Sequence, residues 1–233
     1  MRIQRHSLIS GARDATGLAV IIDVFRAFTT AAYVMANGAE KIIPTGSLDE
    51  AFKLKTLHPE WVLMGERDGK RVPGFDYGNS PFELKDIDLT GKTIVQTTGA
   101  GTQGLVNATG AEVMLLGSFV MANAIVRYIR SIQPSVVSLV AMGSVGVEEC
   151  DEDELCATYI QSVLQGQSLD FEDMKRQIAA CESGAKFFDP SRPQFREEDF
   201  HMSLELDRFD FVLVCTREDQ GLAVKKRTVR RNC

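Results

Sequence analysis

Two stretches of the chain pass through the same landmarks in the same order: VIIDVFRAFTTAAYVMANGAEKIIPTGS and TIVQTTGAGTQGLVNATGAEVMLLGS. Gly38 aligns with Gly110 and Ser47 with Ser118. Each copy holds an apolar run, a turn of hydroxyls or glycines, a helical stretch, a Gly-Ala-Glu, a second apolar run, Gly-Ser and another helical stretch. A third apolar run closes each copy, WVLMGER in the first and VVSLVAMGS in the second. A β-α-β-α-β unit is thus written twice, over about residues 18–66 and 92–144. Strands that alternate with helices of this length imply mainly parallel pairing with helices on both faces, and unbroken apolar runs suit strands buried on both sides. The expected fold class is therefore α/β.

The second helix of the later copy, MANAIVRYIRSI, places Ala122, Ile125, Ile129 and Ile132 on one stripe, as a helix lying on a sheet requires. The remaining part, 145–233, holds an acidic segment from Glu148 to Glu154, helical stretches at about 154–165 and 170–182, and a proline-bearing connector from Asp189 to Pro193. It ends in two apolar runs, FDFVLVC and GLAVKK, joined by TREDQ, which predict an antiparallel hairpin. With 233 residues, the chain can bury roughly 70% of its unfolded surface, so one domain over the whole length is expected.

Charge and composition exclude several classes. A net charge of −6 argues against nucleic acid as a partner, and the one basic cluster, KKRTVRR, reads as a solvated strand and tail. The apolar runs Leu18–Val24 and Val136–Met142 fall short of the roughly 18 residues of a membrane span. The amino-terminal MRIQRHSLIS has no apolar export core, and Cys150, Cys156, Cys181, Cys215 and Cys233 form no C-x-x-C. These features predict a cytoplasmic protein with reduced thiols and no membrane partner. A homodimer is the default expectation for a compact enzyme of this size.

Gly99-Ala100-Gly101-Thr102-Gln103-Gly104 is a literal G-x-G-x-x-G between an apolar run and a helical stretch. In a dinucleotide site an acidic residue about 20 positions later binds the ribose. Here that position falls at Gly117 to Phe119, without a carboxylate, and the matching turn of the first copy, DVFRAFTT, has no glycine. What survives is the generic attraction of a helix start for an anion, aided by Thr97, Thr98 and Thr102. A monophosphate or sulfonate site is expected, and a dinucleotide site or a ligand-free turn remain as alternatives.

Ligands of parallel α/β sheets bind beyond the carboxyl ends of the strands, so residues that follow each apolar run are candidates. They are Asp23, Arg26, Thr29 and Thr30; Glu66 and Arg67; Thr97 to Thr102; and the acidic segment. Asp23 ends an apolar run, where a carboxylate needs a cation or donors: Arg26 would serve, and so would a metal ion shared with the acidic segment. Hard cations such as Mg²⁺ select oxygen ligands, but spacing does not choose among Glu149, Asp151, Glu152 and Asp153. Arg67 suits bidentate recognition of an oxyanion, and Asn79 and Ser80 either donate to one or set the turn before Pro81. His6, His58 and His201 lie in no ligand spacing, no C-x₅-R or G-x-S-x-G is present, and position 25 is Phe, so no D-x-D nucleophile motif forms.

IIDVFRAFTT, GERDGKRVPGFDYGNSP, QTTGAGTQG and DEDELCA, in this order, resemble the 2-phosphosulfolactate phosphatase family, the ComB-type enzymes. The similarity runs from about Leu18 to Ala157 and weakly to the final hairpin. It implies a three-layer α/β/α fold and a magnesium-dependent phosphatase that converts phosphosulfolactate to sulfolactate and phosphate in coenzyme M biosynthesis. Carried over by matching position, it points to Asp23, Arg26, Glu66, Arg67, Asn79, Ser80, Thr98, Gly101, Thr102, Glu152 and Asp153. On this reading Asp23 with Glu152 or Asp153 holds Mg²⁺, and Arg26, Arg67 and the amides around Gly101 grip a small phosphorylated sulfonate or carboxylate. Ala100 stands where members often have asparagine, which leaves the exact substrate open. Argued from the glycines alone, the competing classes are an NAD(P)-dependent oxidoreductase and a non-catalytic anion-binding protein.

Overall fold

The computed structural model describes residues 1–218 and 221–229. Asp219 and Gln220 of the expected hairpin turn, Arg230 and Arg231 of the basic cluster, and Cys233 lie outside the described residues. The elements are β1 (Arg2–Ser7), α1 (Leu8–Asp14), β2 (Gly17–Ile22), α2 (Ala27–Ala36), β3 (Lys41–Pro44), α3 (Leu48–Leu57) and β4 (Val62–Arg67). Next come β5 (Lys70–Arg71), α4 (Pro81–Leu84), β6 (Thr93–Thr97), α5 (Gly101–Asn107), β7 (Ala111–Gly117), α6 (Ala122–Ile132) and β8 (Val136–Ala141). The last are α7 (Asp151–Leu164), α8 (Phe171–Ala180), α9 (Glu182–Ala185), α10 (Glu197–Ser203), β9 (Phe211–Glu218) and β10 (Gly221–Thr228). Both predicted repeats are present, as β2-α2-β3-α3-β4 and β6-α5-β7-α6-β8.

The sheet order is β1-β8-β2-β7-β9-β10-β3-β6-β4-β5. Each repeat lends its first strand to the other: β2 pairs in parallel with β7 and β8, and β6 pairs in parallel with β3 and β4. The predicted hairpin, β9-β10, forms the centre and joins the two parallel halves through antiparallel contacts on both sides. Exchanging the repeats reverses the strand order from β8 to β4, so the sheet has an approximate internal twofold. Helices pack around the sheet, among them α1 against α5 and α6 against α7. No described helix is long and apolar enough to cross a membrane.

The pairing senses make β2 and β6 run in opposite directions, because three successive antiparallel contacts separate the halves. On a flat sheet their carboxyl ends would lie on opposite edges. Instead the amide of Gly101, just past β6, donates to Asp23, just past β2, at 2.7 Å. The sheet is therefore coiled, as accumulated strand twist requires. The candidate residues that follow β2 and β6 meet through this coiling and not along one edge of a wholly parallel sheet.

Local expectations are met with small shifts. β2 from Leu18 to Ile22 is at most 3% exposed, as a strand covered on both faces should be. Ala122, Ile125 and Ile129 are buried on α6, but Ile132 is 51% exposed because the final turn ends at Gln133 in the left-handed region. The acidic segment begins α7, with Asp151 to Glu154 in its first turn, where the helix dipole favours negative charge. The four described cysteines are free.

The glycines of the motif have unequal packing duties. A Cβ at Gly104 would lie 2.5 Å from Ile21 Cγ2 and from Met142 Sδ, so this glycine lets α5 press onto the sheet. At Gly99 it would meet nothing closer than 3.6 Å. Gly104→Ala is expected to lower stability by about 1–3 kcal/mol through overpacking, and Gly99→Ala by no more than about 0.5 kcal/mol. Urea unfolding of both variants checks this order, and equal losses would contradict it.

Candidate active site

Asp23 continues β2 and is 6% exposed. Its Oδ1 accepts from the amide of Ala27, the first residue of α2, at 3.0 Å, and its Oδ2 from that of Gly101, the first residue of α5. One carboxylate therefore sits at the starts of the first helices of both repeats. A buried carboxylate without donors would be costly, and two helix starts supply both donors and positive dipole ends. Arg26 does not pair with Asp23. Its guanidinium forms a buried ion pair with Asp199 at 2.8 Å and donates to the carbonyls of Gln194 and Gly69.

The amides of Thr98, Gly99 and Thr102 are engaged as well. Glu66 accepts from Gly99 through Oε1 and from Gly69 through Oε2, both at 2.8 Å. The Thr98 amide donates to Thr102 Oγ1, and the Thr102 amide donates to Thr98 Oγ1. The glycine-rich turn thus holds the protein's own carboxylates, and the Gly101 amide expected to face phosphate faces Asp23. For the same reason a pyrophosphate could not approach the start of α5 without displacing Asp23.

A cavity of about 300 Å³ opens beside Asp23, lined also by Arg26, Glu66, Arg67, Asn79 and Thr98 among others. Arg67 donates to the Glu66 carbonyl and to Thr97 Oγ1. Asn79 also lines the cavity, and its Oδ1, an acceptor, is buried without a hydrogen-bond partner. Ser80 caps α4 and donates to Asp199 at 2.7 Å, so it belongs to the scaffold behind Arg26. Thr29 bonds to the Val24 carbonyl and Ser118, while Thr30 is fully buried; both lie within α2, and neither lines the cavity.

Glu152 and Asp153 lie close behind this wall. Asp153 accepts from the amides of Val24 at 2.8 Å and Gly143 at 2.9 Å, which ties α7 to the ends of β2 and β8. Glu152 accepts from Ser183. Neither lines the cavity, and among the described residues no group of three acidic, cysteine or histidine side chains surrounds a common point. Burial pushes the Asp23 carboxyl up to about 7, and the charges of Glu66 and Glu152 add to this against the amide bonds from Ala27 and Gly101. Burial, then the charges of Glu152 and Asp23, raises Asp153 well above the usual carboxylate range. Burial also pushes the Cys150 thiol up, which makes it a poor nucleophile.

Three contributors carried no readable signal in the sequence. Asp199 lies in an acidic helix start that resembles a solvated one, yet it is fully buried. Phe195 lies under the Arg26 guanidinium, 5.2 Å from ring centre to Cζ, and Lys186 lines the cavity from a single turn of 3₁₀ helix, Lys186–Phe188. All three come from residues 186–199, where no periodicity points inward.

Fold and site together define an α/β protein with a polar cavity in which helix starts, carboxylates and arginines converge, the layout of an enzyme that handles a small oxyanion. A sequence model of 2-phosphosulpholactate phosphatase matches residues 4–218, and the chain belongs to that family. The chain is 31% identical to the "Probable 2-phosphosulfolactate phosphatase" of Bacillus subtilis over 210 residues, 89% of this chain and 85% of that one. Its identity to the protein of the same name from Synechocystis is 31% over 205 residues, 86% and 85% of the two chains. With the Carboxydothermus hydrogenoformans protein of that name it reaches 43% over 148 residues, 64% and 60% of the two chains.

A carboxyl whose folded pKa lies above its unfolded value stabilises the fold fully below the unfolded value and loses that contribution as pH rises through the folded one. For Asp23 that window runs from 3.8 to about 7. With EDTA present, wild-type stability is expected to decline across it, and Asp23→Asn to flatten the decline. Urea midpoints measured at several pH values check this. A slope equal to that of the wild type would show that Asp23 does not titrate there.

Proposed function

We propose that the chain is a magnesium-dependent phosphomonoester hydrolase acting on 2-phosphosulfolactate or a closely related small phospho-acid. The observation that carries this reading is the cavity beside Asp23, where a carboxylate held at two helix starts shares a wall with Arg67 and an unpartnered Asn79. The names of the relatives support the substrate class.

The electrostatics of the cavity argue for a cation. Asp23, Glu66 and Asp68 line it, and a phosphate dianion entering beside them would be repelled. Asp23 and Glu66 present oxygen ligands within mutual Coulomb range, which suits Mg²⁺, an ion that takes one or two carboxylates and completes its shell with water and phosphate. When bound there, Mg²⁺ would neutralise charge on the phosphoryl oxygens as the ester bond breaks. Glu152 and Asp153, expected as ligands from the resemblance, stand behind Asp23 and increase its demand for positive charge.

The chain's own groups then divide the work. Arg67 and the Nδ2 group of Asn79 donate to phosphate oxygens, and the Arg26–Asp199 pair stiffens the wall next to Asn79, where Ser80 donates to Asp199. Asp23 either attacks phosphorus, forming an acyl phosphate that water then cleaves, or orients the water that attacks directly. In both routes the bond between phosphorus and the ester oxygen breaks, water supplies the new P–O bond, and the released alcohol takes a proton. A place in coenzyme M biosynthesis, a cytoplasmic location and a homodimer belong to this reading. The dinucleotide alternative is disfavoured because Asp23 occupies the helix start that a pyrophosphate would need.

Asp23→Asn is expected to lower phosphate release by at least about a hundredfold while circular dichroism still reports a folded chain. EDTA should stop release by the wild type, and added Mg²⁺ should restore it. An unaffected Asp23→Asn rate would remove the assignment of its role, and full activity in EDTA would remove the metal. Acid-quench trapping of a phosphorylated chain separates the two routes.

A further inference from the structure

The cations around the cavity are not equivalent. The Arg26 guanidinium is held by Asp199 and two backbone carbonyls, and Arg67 by the Glu66 carbonyl and Thr97. Lys186 also lines the cavity but makes no salt bridge among the described residues. Its ammonium lies 4.9 Å from the centre of the Phe195 ring and 5.6 Å from that of Phe187. Such contacts position a cation without using its N–H donors.

Lys186 stands at a seam. Together with Ser144, Cys150 and Phe195 it borders both this cavity and an adjoining hollow of about 400 Å³. Glu148, Glu149, Asp151 and Glu182 line the hollow, with Arg192 as its other cation. An anion moving outward past Lys186 would thus meet four carboxylates. Inside the cavity, Asp23 and Glu66 would resist a second negative group as they resist the first.

We propose that Lys186 is a specificity-determining residue, which receives one of the acid groups other than the phosphate, the sulfonate or the carboxylate, of a substrate whose phosphate lies against Arg67 and Asn79. The assignment rests on the phosphatase reading above and adds to it a reason why a phospho-acid is chosen over a neutral phosphate ester. A compact ammonium with three rotatable donors accommodates a sulfonate or a carboxylate equally, whereas Arg26 is held by Asp199 and two carbonyls and the remaining N–H groups of Arg67 serve the phosphate. The nearby charge of Glu152, which Lys186 partly offsets, keeps the ammonium from being surplus positive charge when no substrate is bound.

The test compares wild type with Lys186→Met and Lys186→Arg on phosphosulfolactate and on isopropyl phosphate, which has no second acid group. Sulfolactate binding to each protein is measured by calorimetry. In Lys186→Met, the ratio of kcat/KM for phosphosulfolactate over isopropyl phosphate is expected to fall roughly tenfold or more, the scale of one lost charge-assisted hydrogen bond. Sulfolactate affinity should fall similarly, and Lys186→Arg should recover much of both. An unchanged ratio, including an equal loss on both esters, would overturn the assignment. If the wild type releases phosphate from neither ester, the phosphatase reading fails, and the titration still decides Lys186: weaker sulfolactate binding in Lys186→Met supports it. Equal binding, or none by the wild type, overturns it.

Discussion

A carboxylate buried at the junction of two helix starts has to draw donors from both, and this couples segments that the sheet would otherwise keep apart. Asp23 takes one amide from α2 and one from α5, the first helices of the two repeats. Its position therefore demands that the coiled sheet bring the ends of β2 and β6 together, and a Cβ at Gly101 would already lie 2.8 Å from Asp23 Oδ2. Asp153 extends the same device, joining α7 to the residues that follow β2 and β8 through two more amides. Backbone amides at strand and helix ends thus answer buried acids at the centre of the site. The acids in turn fix the ends.

The design leaves the site short of positive charge. Amide bonds lower the cost of each carboxylate, but burial and mutual repulsion still hold Asp23 and Asp153 above their ordinary range. The Arg26–Asp199 ion pair, buried on both sides, is self-contained: Asp199 also accepts from Ser80 and from the Phe82 amide, so that pair stiffens a wall and lends little charge to the cavity. A pair of this kind is weak evidence for stability, and breaking it by removing one partner leaves an uncompensated buried charge. The carboxylates beside the cavity are different in kind, because their remaining demand for cations faces a space that a ligand can enter.

The glycine-rich turn shows how a local motif can be shared by unrelated uses. Gly104 performs the packing duty that the third glycine performs in nucleotide folds, allowing helix and sheet to approach. The amide duty is redirected, since Gly99 and Gly101 donate to Glu66 and Asp23. The local physics of a helix start attracting an anion was legible in the sequence. That the anion belongs to the protein was not, because both carboxylates arrive from strands far away in the chain.

The repeats, the α/β class, the closing hairpin and the acidic start of α7 were all determined by the sequence itself, since each depends on periodicity or local charge within a short window. The gathering of Asp23, Glu66, Arg67 and Asn79 was legible as a list, because ligands gather beyond strand ends in folds of this class. Only the tertiary structure decided that β2 and β6 change places between repeats, that Arg26 turns to Asp199, and that Lys186 and Phe195 complete the cavity. Strand order and side-chain pairing depend on sheet coiling and on contacts between distant segments, and neither leaves a trace in the spacing of nearby residues.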